Sequence, residues 1–379
     1  MLRRSTRVPG VESLATPIVR RAFLRRAGLL LAAAGAPPAL FGQAGGARRG
    51  RVILDVDIGI DDAFAVLLAH FSPTIDLLGI TTAFGNTTLE NSTRNALYIK
   101  ERFGVEAQVY RGAAEPLHHP RSEPPVFVHG EDGLGDVEGR IAPSIREADL
   151  SAPEFIARAI LGDPGEVTVV TLGPATNLML ARLLEPAIVD HVRDVIVMGG
   201  AVGFAGERGN ITTVAEANAW QDPHAMADLF RFPWPVTMVG LDVTYAADAS
   251  MDAAFIEELR TRAGEAGAFL ERINRQYRRF YRSSRGVDVT FQHDSIAVAY
   301  AIAPSLFEVE RGKVKVLTDG VARGQTVFCP EGHHTFGDPE WAGLPTHRVC
   351  RGIDGPGFLD LYARALIGGG ARGGGRRAE

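Results

Sequence analysis

The chain has 379 residues, 46% hydrophobic and 22% charged, with a formal net charge of −5; that is enough chain to bury a large core. Nine of its 40 basic and one of its 45 acidic side chains lie in residues 1–50, so the remainder holds 31 basic against 44 acidic groups, a balance of −13. An acidic body of this kind excludes partners that need a basic footprint, nucleic acid and anionic membrane surfaces among them.

Residues 1–44 read as an export leader. Arg20-Arg21-Ala22-Phe23-Leu24-Arg25 resembles the twin-arginine export motif. The apolar run 27–36 falls short of the roughly 20 residues that a membrane span needs, and the small residues around Gly42-Gln43-Ala44 suit cleavage. The expectation is a periplasmic protein with no stable membrane anchor. Neither a repeat nor a linker-like run interrupts residues 50–365, which predicts one domain over 50–366 and a disordered Gly/Arg tail over 367–379.

The β-branched run 52–54 predicts a buried strand and the apolar run 63–70 a buried helix. Further strands are expected over 75–82, 105–110, 167–172, 192–198 and 236–241, with helices over 89–102, 152–161 and 295–303. This alternation predicts an α/β fold: a mainly parallel central sheet with flanking helices, open and Rossmann-like, with its ligand site at the C-terminal ends of the strands.

At that edge, after the first strand, four carboxylates crowd into eight positions: Asp55, Asp57, Asp61 and Asp62. One or two of them suit a helix N-terminus, Gly59 suits the tight turn, and Asp55 suits an arginine partner. The whole group costs free energy unless a cation joins it, and hard oxygen donors suit Ca²⁺ or Mg²⁺. The stretch Asp55-Val56-Asp57-Ile58-Gly59-Ile60-Asp61-Asp62-Ala63 resembles the N-terminal signature of the inosine-uridine-preferring nucleoside hydrolases, with Val56 and Ile58 where the family has Thr and Pro.

The resemblance extends over about residues 51–365, with motifs in the same order at five places. Asn86, by type alone a turn residue after Gly85, falls at a family asparagine near the substrate. The glycine-rich loop with His129 is similar to a segment lining the pocket entrance. Leu172 matches the residue whose carbonyl binds metal, while Thr176 and Asn177 read as helix caps. Asn210, Glu216 and Asn218, otherwise a solvated loop, match the residues that grip the ribose hydroxyls. Asp294, in isolation a helix cap, matches a metal carboxylate, and His293 matches a residue facing the base.

What the resemblance implies is a ribonucleoside hydrolase of nucleoside salvage that cleaves the N-glycosidic bond. Ca²⁺ would be held by Asp57, Asp62, Asp294 and the Leu172 carbonyl, with Asp57 as general base for the attacking water. Asp61 and Glu216 would face the oxocarbenium charge. His293 would protonate the leaving base, in keeping with the usual imidazole range, or orient Asp294. A homodimer or homotetramer is the implied assembly.

Tyr277 and Tyr281, four apart on one helix face, fall where the family has a mobile aromatic flap; they read as base-stacking residues or as packing, and Trp220 as a further wall. Cys329 and Cys350 lie in two apolar segments expected to be adjacent strands, and a disulfide is expected over two buried thiols. Two other readings compete. Asp55-Val56-Asp57 imitates the Asp-x-Asp loop of haloacid-dehalogenase-like phosphatases, although Gly59 and the Asp61-Asp62 pair fit that loop poorly. A periplasmic nucleoside or sugar receptor without turnover is the other, and an intact Asp57 and His293 argue against it.

Overall fold

The computed structural model describes residues 49–334 and 337–373; the expected leader lies outside the described residues. The strands are β1 (Gly50–Val56), β2 (Ile75–Thr82), β3 (Gln108–Arg111), β4 (Val167–Thr171), β5 (Asp194–Met198), β6 (Val236–Val239), β7 (Met251–Asp252), β8 (Val289–Thr290), β9 (Phe307–Val316), β10 (Thr326–Pro330) and β11 (His347–Ile353). Nine form one sheet in the order β10-β9-β11-β6-β5-β4-β1-β2-β3, while β7 and β8 pair separately. All pairings from β11 through β6 to β3 are parallel, and β9 runs antiparallel to both its neighbours.

Period-two alternation sends successive strand residues to opposite faces, and each face carries its own core. Val52, Leu54 and Val56 of β1 pack with the helices Ile60–Phe71, Leu89–Phe103, Gly264–Arg285, His293–Ile302 and Gly355–Gly373. Ile53, with Val167, Val169, Val195 and Val197, packs on the other side with the helices Ala152–Gly162, Thr176–Leu184 and Pro223–Arg231. Both faces are thus covered, which is why the central strands are nearly continuous apolar runs. Each fully buried Leu, Ile, Val or Phe contributes roughly 1.5–3 kcal/mol.

The chain leaves β1 toward β2 and β3, then returns to the other side of β1 with β4, so the strand order reverses between β1 and β4. Ligands of open parallel sheets bind in the crevice at such a reversal. Asp57 directly follows β1 and Leu172 directly follows β4, one on each side of it. No helix among the described residues is long and apolar enough to cross a membrane.

Three expectations are corrected. Cys329 and Cys350 are free thiols on β10 and β11, and β9 lies between them. Two strand spacings are about 9.5 Å, beyond the roughly 7 Å limit between bridged Cα atoms; Cys329 also faces Lys313 while Cys350 faces Val309, four residues along β9. The segment expected to be a tail from 367 is helical as far as Gly373. Gly369 serves close packing there, since an added Cβ would fall 2.2 Å from Phe71 Cδ1. Thr176 and Asn177 cap nothing: Thr176 Oγ1 donates to Asp222 Oδ2 at 2.7 Å, and Asn177 Nδ2 donates to Asp55 Oδ1 at 2.8 Å.

Candidate active site

Asp55 is the foundation of the site. The parallel register places Thr81 of β2 and Thr171 of β4 opposite it, and its buried carboxylate accepts from Thr81 Oγ1 (2.6 Å), Asn177 Nδ2 (2.8 Å) and Thr171 Oγ1 (3.5 Å). These neutral partners, in place of an arginine, leave burial dominant and its pKa raised to about 6. Asp55 therefore fixes the ends of three strands without itself facing the crevice cluster.

The turn after β1 is shaped by Asp62. Its Oδ2 accepts from Gly59 N at 2.8 Å and from Asn86 Nδ2 at 3.0 Å, and its Oδ1 from Asp57 N at 3.3 Å. Gly59 is not needed for a left-handed backbone, because it is extended at φ −95°. It is needed for room: a Cβ there would fall 2.6 Å from His129 Nδ1 and 2.9 Å from Asn86 Nδ2. His129 Nδ1 accepts the free N–H of Ile60 at 3.1 Å, and burial pushes this imidazole down to about 3. His129 is thus a buried neutral support of the helix N-terminus.

Asp57 is oriented by Asn86, which donates its backbone N–H to Oδ2 (2.7 Å) and Nδ2 to Oδ1 (3.2 Å). The contact requires Gly85, whose φ is +152° and whose added Cβ would lie 1.8 Å from Asp57 Oδ2. Asp61, Asp62 and Asp294 present carboxylate oxygens within 4.8 Å of one another. Asp57 stands beside that group, held back on Asn86, whereas Asp61, expected on the sugar, stands inside it. Burial raises all four carboxyls, and the Asp62 charge adds to the rise at Asp57 and Asp61, taking Asp61 to about 7.

Two of these oxygens, Asp61 Oδ1 and Asp294 Oδ2, are buried with no hydrogen-bond partner. Buried acceptors are normally satisfied, and several anions this close need positive charge. The helix N-termini at Ile60 and His293 supply part of it. An all-oxygen donor set with two unsatisfied atoms fits a hard divalent cation such as Ca²⁺. The Leu172 carbonyl accepts Asn218 Nδ2 at 2.6 Å, and its second lone pair remains for a ligand.

On the sugar side, Glu216 caps the short helix Ala217–Gln221. Its Oε1 accepts Asn218 N (2.9 Å) and its Oε2 accepts Gly200 N (2.9 Å) and Ala219 N (3.0 Å). Asn218 Nδ2 bridges the Leu172 and Met198 carbonyls. Asn210 lies exposed, with Oδ1 accepting Ala217 N at 2.9 Å. Trp220 is covered by the Arg323 guanidinium, 4.2 Å above its ring.

Tyr277 and Tyr281 sit inside the 22-residue helix Gly264–Arg285, 2% and 1% exposed. In place of an exposed aromatic flap, the structure shows two hydroxyls in series. Tyr277 Oη donates to Asp61 Oδ2 (3.0 Å), Tyr281 Oη donates to Tyr277 Oη (3.3 Å), and His293 Nε2 lies 2.9 Å from Tyr281 Oη. With the Tyr281 proton directed at Tyr277, His293 is the Nε2–H tautomer, and its Nδ1 accepts from Thr244 Oγ1 at 2.7 Å. Burial, with the Arg285 charge second, pushes His293 down to about 3, so the ring is neutral and the ordinary imidazole range does not apply to it. Thr244, one turn beyond β6, was not legible in the sequence; a threonine after a strand has no distinguishing pattern.

Residues 52–360 match the family profile described as inosine-uridine preferring nucleoside hydrolase. The chain belongs to that family. Probable uridine nucleosidase 1 of Oryza sativa subsp. japonica is 35% identical over 320 residues, covering 84% of this chain and 97% of the relative. A plant nucleoside hydrolase structure superposes with a TM-score of 0.80 at 31% identity, covering 84% of this chain and 99% of the other. The purine-preferring ribonucleoside hydrolase from Gardnerella vaginalis does so with 0.77 at 32%, again over 84% and 99%. Membership of the nucleoside hydrolase family makes the chain an enzyme, a hydrolase of N-glycosyl compounds.

Proposed function

We propose that the chain hydrolyses ribonucleosides to free base and ribose, with Asp57, Asp62, Asp294 and the Leu172 carbonyl holding Ca²⁺. The observation that carries this reading is the buried carboxylate cluster at the β1/β4 reversal with its two unpartnered oxygens. The bound ion supplies Lewis acidity toward water and the ribose diol. Asp57, oriented by both donors of Asn86, takes the proton of the attacking water.

Asn218 and Asn210 bind sugar hydroxyls. Glu216, whose oxygens already accept three backbone N–H groups, acts through its charge on the oxocarbenium-like transition state. His293 faces the departing base as its candidate proton donor, and the hydrogen-bond series through Tyr281 and Tyr277 ties its ring to Asp61. Export to the periplasm rests on the twin-arginine-like residues 20–25, and a homodimer or homotetramer on the family alone.

The test is base release from a panel of purine and pyrimidine ribonucleosides, with and without a chelator. Calcium-restored release supports the reading. Tight binding with no release at any calcium concentration establishes a receptor instead.

A further inference from the structure

Outside the acidic crevice, three imidazoles converge from two separate segments. His118 and His119 lie in the loop after β3, and His224 is the second residue of the nine-residue helix Pro223–Arg231. The His224 ring centroid is 4.4 Å from that of His118 and 4.9 Å from that of His119. We propose that His118, His119 and His224 form a second metal site, selective for a borderline divalent transition ion such as Zn²⁺ and distinct from the all-oxygen cluster of the crevice.

Three features of the geometry support it. The two segments are fixed to one another by Asp222, which accepts Leu117 N (2.9 Å) and Thr176 Oγ1 (2.7 Å) on Oδ2 and Ala225 N (3.0 Å) on Oδ1. His119 Nε2 is 3.0 Å from the Thr318 carbonyl in the β9–β10 connection; a carbonyl only accepts, so Nε2 carries the proton and Nδ1 keeps its lone pair. This is the arrangement by which a backbone carbonyl sets the tautomer of a ligating histidine. Finally, His224 Nδ1 is buried with no hydrogen-bond partner, an uncompensated polar atom in a ring crowded by two others.

Imidazole nitrogen suits Zn²⁺, Ni²⁺ and Cu²⁺, not Ca²⁺. As placed, the three rings do not present three nitrogens to one point. Closure requires rotation of the ring of His118, which is exposed, over the two rings that the fold restrains. Asp319 Oδ1, 3.9 Å from His119 Nε2, supplies compensating negative charge. A bound ion would tie the loop after β3, the helix Pro223–Arg231 and the β9–β10 connection together.

The full chain, first saturated with Ca²⁺ so that the crevice is occupied, is titrated with ZnCl₂ alone by calorimetry, with the melting temperature measured in parallel. One further equivalent of zinc and a rise in melting temperature are expected. His118→Asn should weaken zinc binding at least tenfold, and His118→Asn with His224→Gln should abolish it together with the rise. Because His118 is exposed, the single variant folds and decides the matter even if the double variant does not. Uptake should also fall in acid, since ligating nitrogens must be unprotonated. No zinc uptake beyond the calcium-loaded state, or undiminished uptake by His118→Asn, overturns the proposal.

Discussion

Tyr281 Oη lies 2.9 Å from His293 Nε2, and that contact completes an unbroken series of hydrogen bonds from Thr244 through His293, Tyr281 and Tyr277 to Asp61. Tyr277→Phe removes one hydroxyl from the series while keeping the buried ring. Its kcat on inosine should fall about 10²-fold, within the range that positioned proton transfer contributes. Turnover of p-nitrophenyl riboside, whose leaving group needs no proton, should stay within threefold. Equal losses on both substrates would assign Tyr277 to supporting Asp61 instead.

Gly85 and Asp57 make a second test. Asp57→Asn keeps the shape of the side chain but loses the base and a ligand charge, so turnover should drop by about 10³-fold or more. Gly85→Ala leaves Asp57 chemically intact yet requires it to move, because the new Cβ would occupy the place of Oδ2 and residue 85 has φ +152°. Both variants should lose turnover and calcium affinity together. A Gly85→Ala enzyme with wild-type kcat would show that Asp57 need not sit against Asn86.

The pH dependence of calcium stabilisation derives from the raised carboxyls. Without the ion, Asp55 and Asp61 titrate at about 6 and 7 when folded, against 3.8 for an ordinary aspartate. Their protonated forms therefore favour the metal-free fold below about pH 4, and this contribution is lost as pH rises toward 7. His129 and His293, with folded values of about 3, act in the opposite sense between about pH 3 and 6.5, so the metal-free curve alone is mixed. The histidines are neutral in both ligand states, and they cancel in the difference. The rise in melting temperature caused by Ca²⁺ should therefore grow from pH 5 to pH 8, with proton release on binding detectable near pH 6. The carboxyls of Asp57, Asp62 and Asp294 are raised by burial in the same sense, and a calcium-induced rise that is flat across this range would remove them as ligands.

The amides at the rim bear on the sugar. If Asn218 and Asn210 receive ribose hydroxyls, a substrate lacking one leaves the buried Asn218 without that partner, and kcat/KM for 2′-deoxyinosine should fall at least about 10²-fold below inosine. Comparable values for the two nucleosides would remove these residues from the sugar site.

The parallel sheet was legible because its strands are short, β-branched and buried on both faces, and β2 was placed at both its ends. The acidic turn was legible because its residues are contiguous. What the sequence did not disclose depends on segments meeting in space. Thr244 reaches His293 from 49 residues away, Asn177 reaches Asp55 from 122, and neither has a local pattern. The neutrality of His293 arises from burial, which single-residue chemistry does not reveal. The helix through 367–373 runs against glycine's weak helix propensity, and the close approach of Gly369 to Phe71 is a contact between distant segments that no local pattern announces.

The interposition of β9 between the two cysteines gives the molecule an internal clock. Cys350 is wholly enclosed, with burial pushing its thiol up to about 12, and Cys329 is 6% exposed. Cys350 cannot react with an alkylating reagent until its strand separates from the sheet. Capture of Cys350 by iodoacetamide should accordingly proceed at the rate at which the antiparallel end of the sheet opens, and dithiothreitol should leave the folded enzyme's melting unchanged. The protein's integrity is then indifferent to the reducing power of its surroundings, so it can be produced in a reducing cytosol as well as in an oxidising compartment.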